Sequence, residues 1–191
     1  MPMEHFTYFA YGSNMLSEQL RRRCPSAKAI GVAVASGYIL KFSKRSDDKS
    51  GKATLVISTE PKRQVFGKLF EIENGDLCEL DKAEGKGNGY NRCDKFSVTL
   101  PPDRKQVQVT TYIASACAID DSLKPYDWYL ALAIAGALQH KLPKTWIAKL
   151  REFNYIADPK PNRKRRKKAI EDLKLAGVQD FTQVLESPRT R

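Results

Sequence analysis

The chain has little of what most metal-dependent, stapled or membrane-embedded folds require. Its 191 residues include two histidines and four cysteines. Cys24, Cys78, Cys93 and Cys117 are widely spaced with no Cys-x-x-Cys pair, and a chain of this length can build a core without staples, so free thiols are expected. There is no His-Glu-x-x-His pattern, and no metal site is expected. The longest apolar stretch, Tyr129 to Leu138, falls well short of the roughly 20 residues that span a bilayer, so no membrane span is expected. Met1-Pro2-Met3-Glu4-His5 lacks a basic n-region, and the apolar residues behind it run into a Gly-Ser-Asn turn rather than a cleavage site, which makes a cytoplasmic location the expectation. Gly-x-Ser-x-Gly is absent, which weighs against a serine nucleophile. Gly85-x-Gly87-x-Gly89 follows a helical pattern and precedes a strand, the reverse of the dinucleotide-binding order, so a nucleotide fold is excluded. No repeat of fixed period is visible.

What is present is a folded composition, 41% hydrophobic and 29% charged, sized for one large domain or a domain with appendages. The net charge of +11 comes from 33 basic against 22 acidic residues and implies attraction to polyanions or anionic substrates. Much of it is local, in Arg21-Arg22-Arg23 and in the stretch from Pro159 to Lys168. Both clusters could contact nucleic acid or a membrane surface, with Lys160 to Lys168 the stretch open to nucleic acid or another polyanion, or could form a solvated face and linker; the second reading is favoured. The Pro-flanked, charge-dense composition of Lys160 to Lys168 reads as unable to form a pocket and dispensable for chemistry.

The pattern divides into a strand-rich part up to about residue 113 and a helix-rich part after about residue 124. Phe6 to Tyr11 reads as an aromatic strand that stops at Gly12-Ser13-Asn14, with helical spacing from Leu16 to Cys24. Further strands are expected at Ala29 to Phe42, Ala53 to Ser58, Val65 to Ile72 and Tyr90 to Leu100, and around Val107 to Thr111. Asp76 and Glu79 suggest a capping box for a short helix that ends at Glu84, with Gly85 as its C-terminal cap and Lys86 to Gly89 a mobile loop. Pro125 and Pro143 suit the first turns of two helices whose apolar stripes read as core. A third helix is expected at about Lys167 to Ala176, capped by Gly177, before a frayed tail from Ser187 to Arg191.

Two segments could carry chemistry. In Tyr8-Phe9-Ala10-Tyr11-Gly12-Ser13-Asn14-Met15 a strand meets a helix through small residues, so successive N–H groups there lack intrahelical partners and can meet an anion or oxyanion. On spacing alone a plain strand-to-helix turn with Asn14 as N-cap is the better reading. In Leu80-Asp81-Lys82-Ala83-Glu84-Gly85, Glu84 sits at the negative end of a helix, where its pKa tends to rise as a general base needs, though an exposed helix-end acid is the commoner case. Tyr126, Trp128 and Tyr129, at the start of the long helix, could line a pocket or pack in the core.

Together these segments, with Gly67-Lys68-Leu69-Phe70-Glu71-Ile72 between them and Gly89-Tyr90 downstream, resemble the γ-glutamylcyclotransferase family. The resemblance extends to Pro125, Tyr129, Gly136-Ala137 and Leu142-Pro143, spanning roughly residues 6 to 155. It implies an α+β fold in which a small barrel-like mixed β-sheet is flanked by helices. It divides the chain into a cyclotransferase-like domain over residues 1–157 and a basic linker, short helix and tail over residues 158–191. It further implies conversion of a small γ-glutamyl amide to 5-oxoproline and a free amine without a cofactor. Glu84 would be the catalytic acid/base, Tyr11, Gly12, Ser13, Asn14 and Met15 the substrate-binding turn, and Tyr129, with Tyr126 as a weaker candidate, a hydrogen-bond partner of the γ-glutamyl group. Glutathione-specific relatives usually carry Tyr-Gly-Ser-Leu, so Asn14 points away from that branch. A nucleic-acid-binding module or a non-catalytic binding protein on the same fold are the alternatives. The first leaves the turn unexplained, and the second is disfavoured by the presence of Glu84.

Overall fold

The structure, a computed structural model, describes residues 4–186. The leaderless reading of Met1 to Met3 and the expected frayed tail from Ser187 to Arg191 lie outside the described residues. Five strands, β1 (His5–Ala10), β2 (Lys28–Ser36), β5 (Gln64–Glu73), β6 (Tyr90–Leu100) and β7 (Lys105–Ala114), close into a barrel in the order β1-β5-β2-β6-β7. All neighbours are antiparallel except β1 and β7, whose parallel contact at Tyr8 and Thr110 closes the barrel. Two further strands, β3 (Tyr38–Arg45) and β4 (Gly51–Ile57), form a separate antiparallel hairpin. The expected barrel-like mixed sheet flanked by helices is therefore what the chain forms.

The interior follows from alternation. On β5, buried Val65, Gly67 and Leu69 alternate with the more exposed Gln64, Phe66 and Lys68, and Phe70 and Ile72, on the opposite face, are buried as well beneath the packed helices. Phe9, Phe70, Phe96 and Tyr112 are large buried side chains: Phe9 stacks on Phe96 on one face of the sheet, and Phe70, on the other, meets His140 edge-on. The expected single strand from Ala29 to Phe42 is in fact two, because Gly37 takes a left-handed conformation and turns the chain from β2 into the β3–β4 hairpin.

Among the described residues six α-helices surround the sheets: α1 (Ser17–Arg21), α2 (Leu77–Glu84), α3 (Asp127–Gln139), α4 (Lys144–Arg151), α5 (Lys164–Leu175) and α6 (Thr182–Leu185). Pro125 and Pro143 each precede their helices rather than opening the first turn. α3 is apolar on all sides and buried along almost its whole length, which marks it as the central helix, packed on α4, α5 and α6. It also touches the turn after β1. A Cβ at Gly136 would lie 2.5 Å from the backbone nitrogen of Leu16 and the carbonyl carbon of Met15, so only glycine permits this approach.

The C-terminal segment is tied to this frame by a buried carboxylate. Asp158 accepts hydrogen bonds from the Trp128 indole (2.9 Å), the Lys160 N–H (2.9 Å) and Nε and Nη2 of the Arg163 guanidinium (2.6 and 3.0 Å). On α5, which begins three residues earlier than expected and ends at a Gly177 cap, Asp172 receives two bonds from Arg22 (2.5 and 2.9 Å), and Leu173 is buried. Among the described residues no helix is long and apolar enough to cross a membrane.

Candidate active site

Glu84 owes its position to a helix stop. Gly85, left-handed at φ +67°, donates to the carbonyl of Lys82 (3.1 Å), while Lys86 donates to that of Asp81 (2.9 Å), the paired bonds of a glycine C-cap. Leu80 anchors α2 in the core, and Glu84 one turn later turns inward with its side chain 14% exposed. The capping box at the other end does not form, because the Asp76 carboxylate is taken by the N–H and hydroxyl of Ser26 (3.0 and 2.6 Å).

Asn14 is likewise not an N-cap. The segment Ser13–Met15 is a single 3-10 turn, α1 starts after Leu16, and the buried Asn14 amide is a junction instead. Its Nδ2 donates to Glu84 Oε1 (2.5 Å) and to the Tyr8 hydroxyl (3.1 Å), and its Oδ1 accepts from Arg23 (2.8 Å) and Gln19 (3.3 Å). Arg23 also reaches Glu84 Oε1 at 3.3 Å. Both protein bonds thus fall on one carboxylate oxygen, and Oε2 has no partner among the described residues. Burial pushes the Glu84 carboxyl above its ordinary range, against the opposing pull of Arg23, Asn14 and Lys44. The sequence located this shift at the helix end; its dominant cause is desolvation.

In the adjoining turn, Met15 N–H is engaged by the Gly12 carbonyl (3.0 Å), whereas the N–H groups of Gly12, Ser13 and Asn14 find no protein acceptor among the described residues. Tyr129, from the first turn of α3, accepts the Ala53 N–H on its hydroxyl oxygen (3.2 Å), which leaves its own O–H available to donate. A small recess beside Glu84 is walled by Tyr8, Tyr11, Gly12, Asn14 and Tyr112. It adjoins a cavity of about 540 Å³, a volume suited to a small molecule, with Ser13, Glu84, Tyr90 and Tyr129 lining both.

The structure therefore brings together Glu84, Tyr11, Gly12, Ser13, Asn14 and Tyr129. Met15 does not join them, being fully buried with its N–H occupied. Nor does Tyr126, whose hydroxyl donates to the Asp48 carbonyl (2.8 Å) while Arg163 lies 5.2 Å from its ring centre; neither residue lines the cavity or the recess. Arg23, Gln19, Tyr8, Tyr90 and Lys52 also line the cavity or the recess, and sequence reasoning named none of them as a site residue. Arg23 had a signal, the triple-arginine cluster, which reads as a solvated face. The expectation that the Lys160 to Lys168 stretch forms no pocket is overturned, since Arg165 and Lys168 on α5 line the cavity.

If the turn works through its backbone, Ser13→Ala is expected to reduce turnover only a few-fold, about the effect of one lost hydrogen bond. Gly12→Val is expected to cost more, because a Cβ there would come within 2.8 Å of the Ala53 Cβ and 3.6 Å of the Tyr129 hydroxyl. Steady-state rates of the two folded variants test this, and complete loss in Ser13→Ala alone would point to a serine nucleophile.

The family model described as "AIG2-like family" matches residues 64–150. A γ-glutamylcyclotransferase of Bos taurus is 28% identical over 178 residues, 89% of this chain and 88% of the relative. The Homo sapiens γ-glutamylcyclotransferase is 29% identical over 153 residues, 78% of each chain. Among solved structures, a γ-glutamyl cyclotransferase superposes with a TM-score of 0.78 at 26% identity, covering 88% of this chain and 99% of that one. Over most of its length the chain is similar in sequence to γ-glutamylcyclotransferases, and the fold that carries Glu84 and the Gly12 turn matches that of a solved γ-glutamyl cyclotransferase.

Proposed function

We propose that the protein converts γ-glutamyl amides, either γ-glutamyl amino acids or γ-glutamylamines, to 5-oxoproline and a free amine, with no cofactor. The observation that carries this reading is the Glu84 carboxylate, held through Oε1 and open at Oε2, beside three N–H groups with no protein acceptor. The α-amine of the substrate is the nucleophile, but it is protonated at neutral pH. Glu84 Oε2 takes a proton from it, which passes to solvent, the freed amine attacks the γ-carbonyl carbon and gives its second proton to Glu84, and a five-membered ring closes as the C–N bond to the leaving amine breaks. Glu84 then returns the proton to that nitrogen. The N–H groups of Gly12, Ser13 and Asn14 supply donors for an anionic substrate oxygen, and the Tyr129 hydroxyl donates to the γ-glutamyl group. Because the reaction is intramolecular, much of the acceleration comes from holding the substrate folded on itself, a role for the closely packed tyrosine walls.

Incubation with a panel of γ-glutamyl amino acids and γ-glutamylamines should release 5-oxoproline from at least one of them. Release from none would reject the reading.

The raised Glu84 pKa gives this activity a pH signature. The base acts deprotonated, so kcat/KM should fall as pH drops through the raised value, placing the acidic limb above the ordinary glutamate value of about 4.3. Arg23→Gln removes an influence that lowers the pKa, so it should move the limb further up. A pH–rate profile of both enzymes checks the sign, and a limb that Arg23→Gln moves down would contradict the assignment.

A further inference from the structure

Seven basic side chains line the cavity beyond Glu84, and most have partners. Arg22 is held by Asp172, Arg23 by Glu84 and Asn14, Lys52 by Asp48 at 2.9 Å, and Lys82 by Glu79. Three differ. Lys44 on β3 and Lys168 on α5 have no carboxylate within 4.0 Å among the described residues, and Arg165 meets only Asp47 at 3.9 Å, in a pair whose side chains are 61% and 87% exposed. Lys44 is half-buried with its ammonium 4.9 Å from the centre of the Tyr90 ring, at the point where cavity and recess meet. Arg165 and Lys168 stand three residues apart on one helix, a spacing that puts both on the same face. Cations on a cavity wall that are only weakly compensated, here by exposed Asp47 and by Glu84, still focus positive potential into it.

We infer that this wall is a subsite for the leaving amine and that it selects γ-glutamyl conjugates whose leaving group carries an additional carboxylate, with γ-glutamyl-glutamate as the type. The inference rests on the cyclotransferase reading. In that reading the γ-glutamyl group lies against the tyrosines, Glu84 and the Gly12 turn, so the other side of the scissile bond extends into the cavity toward α5. A neutral amino acid brings one carboxylate there; an acidic one brings two to three cations. Lys44, Arg165 and Lys168 are thus specificity residues that act on the substrate remotely from the reacting atoms.

The test compares kcat/KM for γ-glutamyl-glutamate and γ-glutamyl-glutamine, which are nearly the same shape and differ by one charge. The acidic substrate is expected to be favoured about tenfold at low salt, with the ratio shrinking as ionic strength rises. Lys168→Glu and Arg165→Glu are expected to bring the ratio to one or below, and the milder Lys168→Gln to bring it partway. Because the readout is a ratio of two substrates in the same protein, a general loss of folded enzyme does not mimic it. A ratio near one in the unaltered protein, with 5-oxoproline formed from both, overturns the subsite and leaves the cyclotransferase reading standing. A preference that survives all three substitutions overturns the assignment to α5. No 5-oxoproline from either dipeptide or from the broader panel overturns both.

Discussion

Replacing Glu84 by glutamine is expected to lower turnover on a γ-glutamyl substrate by about 10² to 10⁴, the usual effect of losing a general base. The change is nearly isosteric. Glutamine can keep its side-chain oxygen toward Asn14 and Arg23, so the network around the Gly12 turn has what it needs to persist, but the amide in place of Oε2 cannot accept a proton. The loss should therefore fall mainly on kcat, with thermal stability little changed. Turnover equal to the unaltered enzyme would remove Glu84 from the mechanism. A large fall in KM affinity with kcat intact would make it a binding residue. Glu84→Asp is the informative companion, since it retains a carboxylate but withdraws it by one methylene, and an intermediate loss would show that position as well as basicity matters.

The second large effect is expected in stability. Asp158→Ala leaves the Arg163 guanidinium without its acceptor, with only 17% of its side chain exposed, and strips the Trp128 indole of its partner. Removing one member of a buried, hydrogen-bonded pair costs about 3–5 kcal/mol, and the partial exposure of Arg163 places this case near the lower end. Denaturant unfolding would measure it, and a change under about 1 kcal/mol would show the cluster to be incidental. Burial by itself would raise the Asp158 pKa. Hydrogen bonds from Arg163, Lys160 and Trp128, with the Arg163 charge, instead push it down to about 2. A carboxylate depressed in the folded state stabilises above its unfolded pKa of about 3.9 and loses that contribution as pH falls through the folded value. The difference between the unaltered protein and Asp158→Ala should thus be full above about pH 5 and should narrow toward pH 2.

What could be read from the chain was local. Gly85 announces a helix stop because a left-handed cap favours glycine, and that stop fixes where Glu84 points. The strand before Gly12 was legible from its aromatic run, and the β6–β7 hairpin from alternation. Asn14 was not legible, because its N-cap role is a local possibility that the distant Glu84 and Arg23 outcompete, and neither contact leaves a trace in spacing. Asp76 lost its cap in the same way to Ser26. The basic C-terminal stretch failed for another reason: a charge-dense helix looks the same whether its lysines and arginines face bulk water or the mouth of a cavity. Its docking is decided by Asp158 and Asp172, single acids far from the motifs that drew attention.

The absence of a side chain at Gly136 has a consequence for traffic. With backbone resting on backbone, the Gly12 turn is seated directly on the central helix that also carries Tyr129, so floor and one wall of the site form a single unit. That side offers no door. The cavity is walled elsewhere by Gly85, Asn88 and the face of α5, so any traffic of ligand falls to walls built apart from that unit, the C-terminal helix among them.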